Sequence, residues 1–127
     1  MLNRPEEGSK PKTMKALNNR VQLIGHLGSD PEVKTFENGS MVARLSLATT
    51  ERATGSKGEK AIRTQWHQLV VWGKLAEICS KYLQKGREIA IEGRIAYRTF
   101  TDQEGNSRLV TEITVNDLLM MSGRQAV

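Results

Sequence analysis

Apolar and polar residues alternate along most of this chain, and in one stretch the alternation gives way to a helical repeat. From Thr64 to Trp72 the side chains take turns, with Trp66, Gln68, Val70 and Trp72 on one face and Gln65, His67, Leu69 and Val71 on the other. That is the pattern of a strand, whose successive side chains point to opposite sides. Gly73 breaks it. Leu75, Ile78, Cys79, Tyr82 and Leu83 then recur at i, i+3, i+4, i+7 and i+8, the spacing of a helix with one apolar stripe. The pattern puts Tyr82 in the core with the rest of the stripe. Lys81 and Lys85 fall in the last helical turn and Gly86 at its stop, where cations and glycine are favoured.

The other elements follow from period-two alternation. Arg20–Gly28 sets Val21, Leu23, Gly25 and Leu27 against Gln22, Ile24 and His26; Gly25 marks a place where another backbone passes close. Glu32–Phe36 is a short extended piece, and Asn38-Gly39 a hairpin turn. Met41–Glu51 alternates again. Residues 52–63, RATGSKGEKAIR, read as a long flexible hairpin loop with a positive tip. Gly86–Phe100 is a long strand with a bulge or bend at Gly93, and residues 102–106 form a hairpin tip. Arg108–Val115 returns, and Leu118–Met121 closes the domain. Residues 1–17 are expected to be a flexible segment, 18–121 one domain, and 122–127 a short polar end. Five strands, with one helix between the third and fourth, predict an all-β OB-fold, a five-stranded Greek-key barrel with long hairpins. In that fold the second and third strands and the loops carry the ligand, here Met41–Glu51, Thr64–Trp72, the 52–63 loop and the 94–108 hairpin.

Composition narrows the chemistry. The 127 residues carry a net charge of +5, which favours polyanionic partners. Asn38-Gly39-Ser40 matches a glycosylation acceptor, but no secretory leader is visible. No apolar run is long enough to cross a membrane, and a single cysteine on the helix stripe excludes an internal disulfide. A reducing, cytoplasmic, nucleoid-associated setting is the expectation. His26 and His67 have no ligand-spaced companions, so neither metal nor cofactor is expected. The Gly-rich segment lacks P-loop spacing, no serine sits in a nucleophile-elbow context, and the acids are scattered. The sequence points away from an enzyme.

Single-stranded nucleic acid needs a flat π-face for each unstacked base and a positive track for phosphates. Trp66, Trp72 and Phe100 offer the first. Arg52, Lys57, Lys60, Arg63, Lys74, Lys85, Arg94, Arg98 and Arg108 offer the second. A tryptophan in a strand is ordinarily a core residue, yet Leu69 and Val71 already supply a core on the opposite face. Phe100 lies among Arg98, Thr99, Thr101 and Asp102, where burial is hard to arrange. Phe36, before a turn, fits either role, and Tyr97 faces away from Phe100 unless the bulge shifts the register.

The chain resembles the bacterial-type single-stranded DNA-binding protein family. The resemblance runs from Asn19 to Asp117 and rests on ordered segments. They include Asn19-Arg20-Val21, Gly25-His26-Leu27-Gly28, Asp30-Pro31-Glu32, Leu47-Ala48-Thr49, Thr64-Gln65-Trp66-His67, Gly73-Lys74-Leu75-Ala76-Glu77, Ile91-Glu92-Gly93 and Phe100-Thr101-Asp102. It implies a homotetramer that wraps single-stranded DNA in replication, recombination and repair. Trp66, Trp72 and Phe100 fall on base-stacking positions, and His67 toward a subunit interface. Two departures stand out. Arg52, Ala53 and Thr54 occupy a place where the family often has a further aromatic. The chain also stops at Val127 without the family's long linker and acidic tip, so its protein partners are open. The competing readings are a primosomal-type OB adaptor and an OB-fold hydrolase.

Overall fold

The computed structural model describes residues 18–121. The expectations for 1–17 and 122–127 lie outside them. Among the described residues six strands and one helix follow in order: β1 (Val21–Leu27), β2 (Glu32–Thr35), β3 (Met41–Thr54), β4 (Lys60–Trp72), α1 (Gly73–Tyr82), β5 (Glu88–Thr101) and β6 (Ser107–Met120). The sheet order is β1-β5-β6-β4-β3-β2, and β1 also pairs with β3. Five strands thereby close into a barrel, with β2 an added edge on β3. The barrel and the helix between its third and fourth strands are those the sequence predicts.

Closure is thin at two seams. β1 meets β3 only at His26↔Ala48 and Leu27↔Leu47. β4 meets β6 in parallel only at Leu69↔Ile113 and Val70↔Thr114. Gly25 makes the first seam possible: a Cβ there would stand 2.2 Å from the Ala48 carbonyl oxygen. Gly93 does the same for the β5 bend. Its Cβ would meet the Thr114 carbonyl oxygen at 2.2 Å, and the β5–β6 register shifts between Glu92 and Gly93. β1 pairs with β5 only as far as Val21↔Gly93. Beyond it the Asn19 side chain takes over from a strand: Nδ2 donates to the Ile95 carbonyl at 3.0 Å, and the Ile95 N–H donates to Oδ1 at 2.9 Å. Arg20 pairs with Glu92 beside this clasp.

The core is filled by Leu27, Leu45, Leu47, Leu69, Val71, Ile89, Ile91, Ile113 and Val115 from the strands and by Ala76, Cys79 and Leu83 from the helical segment. Burial pushes the Cys79 thiol up to about 11, so it packs as an apolar group with little thiolate character.

Three local expectations are corrected. Residues 52–63 are not a flexible loop, because β3 and β4 stay paired out to Thr54↔Lys60 and the turn is confined to residues 55–59. The same closure occurs three times. The first and fifth residues pair through an N–H to carbonyl bond at Phe36–Ser40, Gly55–Glu59 and Asp102–Asn106. In each, the fourth residue is a glycine with positive φ: Gly39, Gly58 and Gly105, a conformation that side chains resist. The helix also stops earlier than Lys85. Leu83 is already extended at φ −99° and ψ 146°, and Gly86 serves the turn into β5, its N–H donating to Leu27. Tyr82, the last helical residue, is 59% exposed, and it is Leu83, just past the helix, that turns into the core.

Candidate nucleic-acid interface

The register places even-numbered side chains of β3 and β4 on one side of the sheet: Val42 beside Trp72, Arg44 beside Val70, Ala48 beside Trp66 and Arg52 beside Ile62. Odd-numbered Leu45, Leu47, Leu69 and Val71 fill the barrel. This outer face continues onto β6 and β5, where Arg94 lies beside Thr114, Arg98 beside Val110 and Phe100 beside Arg108. Trp66, Trp72 and Phe100 are 58%, 51% and 40% exposed. Trp66 and Trp72 stand about 20 Å apart, six residues along one strand.

At the centre of the face, Oε2 of Glu112 accepts from Arg44 Nη1 at 2.7 Å and from Arg98 Nη2 and Nε at 2.9 and 3.2 Å. Glu112 is buried, so β6 contributes one covered carboxylate that draws guanidinium groups from β5 and β3 together. The Arg98 hydrogen bond, then those of Arg44, hold this carboxyl below its ordinary value against burial, which raises it. Arg98 in turn lies over the Phe100 ring, 5.6 Å from its centroid. At the hairpin end Arg108 Nε donates to Asp102 at 2.8 Å; that bond and the turn amides hold the Asp102 carboxyl low.

Trp66 leans over the start of the β1–β2 connection. A Cβ on Gly28 would stand 2.4 Å from the indole, so the ring lies down only because residue 28 has no side chain. Trp72 is near-parallel to Phe36, with centroids 6.1 Å apart and planes 16° apart, an offset-stacked arrangement.

The face gathers Trp66, Trp72, Phe100, Arg94, Arg98 and Arg108, and the rows of the β3–β4 hairpin add Arg52 and Lys60. Lys57 is at the hairpin turn. Arg63 pairs beside Glu51 on the hairpin's other side. Lys74 is exposed in the first turn of α1, and Lys85 lies in the α1–β5 connection, its amide bound to Asp30. His67 is half-buried on the barrel side, with Nε2 2.9 Å from Thr49 Oγ1. It lines a recess of about 330 Å³ with Val21, Leu23, Ile95 and Ile113, and with Trp66, Gln68 and Thr111 at its border. On the opposite flank, Ile24, Ala90 and Leu119 form one cross-strand row, with Ile24 and Leu119 exposed. Among the described residues no group of three His, Cys, Asp or Glu could hold a metal ion, and no helix is long and apolar enough to cross a membrane.

This pattern of exposed rings and arginines on a small barrel coincides with a family match: the model of the single-strand binding protein family covers residues 18–121. The chain belongs to the single-strand binding protein family. A single-stranded DNA-binding protein 1 of Chlorobaculum tepidum is 45% identical over 109 residues, 85% of this chain and 67% of that protein. A single-stranded DNA-binding protein of Xylella fastidiosa is 43% identical over 106 residues, 84% of this chain and 65% of its own length. The chain thus spans about two thirds of these relatives. Among solved structures, the Plasmodium falciparum protein of this family in complex with single-stranded DNA superposes with a TM-score of 0.76 at 31% identity, over 82% of this chain and 95% of that one. A deletion mutant of the Thermus aquaticus single-stranded DNA-binding protein gives 0.74 at 26%, over 84% and 51%.

Within this family member, sequence reading missed Arg44 and Glu112. An acid buried on an outer face looks, in a bare alternating pattern, like any solvated glutamate. Its signal was present in the parity, since Glu112 and Arg98 lie on the same side of one hairpin. Phe36 was left open between core and surface, and only the β2–β3 register brings it to Trp72.

Proposed function

We propose that this domain binds single-stranded DNA without regard to sequence and shields it during replication, recombination and repair. Bases stack on Trp66, Trp72 and Phe100, and phosphates run past Arg52, Lys57, Lys60, Arg94, Arg98 and Arg108. Arg63, Lys74 and Lys85, off the main face, serve as outlying phosphate contacts where the strand wraps round the barrel. The observation that carries the reading is the set of three exposed rings on one arginine-lined face of a single-strand binding fold. Each stacked base contributes about 1–3 kcal/mol, a general value for single-strand binders of which this family is an example. The chemistry is binding rather than turnover, needs no cofactor, and takes place in the cytoplasm on the nucleoid. The working unit is a homotetramer, with His67 and its apolar recess toward a subunit contact.

The test is titration of the intrinsic Trp fluorescence with poly(dT) at several salt concentrations. Strong quenching is expected, with log affinity falling linearly in log salt by about 0.7 per phosphate neutralised. Trp66→Ala and Phe100→Ala each lower affinity about tenfold with Tm unchanged. Absent quenching, or a large drop in Tm for either variant, overturns the assignment.

A further inference from the structure

Phe100 is preceded by Arg98 and Thr99, and Arg98 lies over its ring. The same tripeptide pattern, a cation, a threonine and a phenylalanine, recurs at Lys34-Thr35-Phe36. There Lys34 Nζ stands over the Phe36 ring, 5.2 Å from its centroid. The two rings are exposed to almost the same degree, 36% for Phe36 and 40% for Phe100, and they mark diagonally opposite corners of the face. Phe36 follows β2, beyond Trp72, and Phe100 ends β5, beyond the Glu112 cluster. The row Lys34, Val42, Trp72 is continuous across β2, β3 and β4. Between Phe36 and Trp72 lies a recess of about 280 Å³, bordered by Glu32, Val33, Lys34, Val42 and Arg44.

We infer that Lys34-Thr35-Phe36 is a further base-and-phosphate step, at which a nucleobase of the bound strand stacks on the Phe36–Trp72 pair while Lys34 and Arg44 hold its flanking phosphates. This rests on the single-strand reading above and extends it across β2, an edge that reading leaves bare. The offset of the two rings leaves part of each π-face open, and a cation parked over Phe36 moves to a phosphate when a base arrives. Arg44 borders the recess while its Nη1 is tied to Glu112 on β6, which spares the strand part of the entropy of ordering it. The inferred track therefore runs corner to corner, from Phe100 past Arg98, Arg44 and Trp72 to Phe36.

The experiment uses a dT oligomer carrying 5-iododeoxyuridine at every second position, irradiated on the full chain, with adducts mapped by mass spectrometry. Affinities of Phe36→Ala and Phe36→Tyr are measured alongside. An adduct at Phe36, about a tenfold loss in Phe36→Ala and recovery in Phe36→Tyr, all at unchanged Tm, support the site. An affinity within twofold of the parent in Phe36→Ala overturns it. A loss without any adduct at Phe36 also overturns it, Phe36 then being only a prop for Trp72. Adducts at Trp66 or Phe100 in either failing case leave the main reading standing. No adduct at any ring, with no fluorescence quenching, removes both.

Discussion

At Glu112 one carboxylate oxygen serves guanidinium groups from two strands that do not pair with each other. Its hydrogen bonds hold it below an ordinary value of 4.5. A group lowered on folding stabilises fully above its unfolded value and loses that contribution as pH falls through the folded one. Glu112→Gln is therefore expected to be less stable at neutral pH by about 1 kcal/mol, discounted for half-exposed arginines. The gap to the parent closes on acidification below pH 4.5, which denaturant titration across pH reads directly. The same variant removes a negative charge from beneath the face, so its salt dependence of DNA binding steepens by about 0.7. At Gly28 the indole of Trp66 fills the space of a missing side chain. Gly28→Ala moves the ring rather than the backbone; the expected result is a shifted Trp emission and severalfold weaker binding with Tm nearly intact. Trp66 and Trp72 were legible as exposed because Leu69 and Val71 already supply a core on the opposite face, and Phe100 because its polar hairpin neighbours leave nothing to bury it. Tyr82 was misplaced because, of the two apolar residues at the helix end, Leu83 takes the inward place and leaves the tyrosine outside.

At the level of elements, alternation located every barrel strand, and glycine located their closures. Gly25 and Gly93 each face a carbonyl oxygen across the sheet with no room for a methyl. Gly25→Ala must displace the β1–β3 seam, at a cost of about 3 kcal/mol and a Tm lower by on the order of 10 °C in a thermal melt. The extent of the β3–β4 hairpin was not legible. Residues 52–63 are polar, glycine-bearing and unpatterned, and what keeps them paired is the five-residue turn at 55–59 rather than any side-chain alternation. That turn, closed by the Gly55–Glu59 bond, carries Lys57 outward at its tip. Lys57→Ala should lower the salt slope by about 0.7, with the affinity loss largest at low salt and shrinking as salt rises.

For the molecule as a whole, the barrel could be read from strand number and helix position, but the outer surfaces could not. Which polar face meets DNA, and which meets a second copy, depends on cross-strand rows that one sequence does not display. Ile24, Ala90 and Leu119 form such a row away from the rings, and burying it is a natural role for subunit association. Leu119→Glu is expected to lower the mass seen by light scattering while leaving a folded domain. A variant that keeps the parent mass places the subunit contact elsewhere.

The parallel seam of β4 and β6 has backbone pairing at only two positions, Leu69↔Ile113 and Val70↔Thr114, crossed by the Arg44–Glu112 bond, between long hairpins that are paired almost end to end. A wall fastened so briefly should part there before its hairpins unzip. Deuterium should enter the amides along this join ahead of those inside either hairpin, leaving two arms that hinge about the barrel like the jaws of a clip.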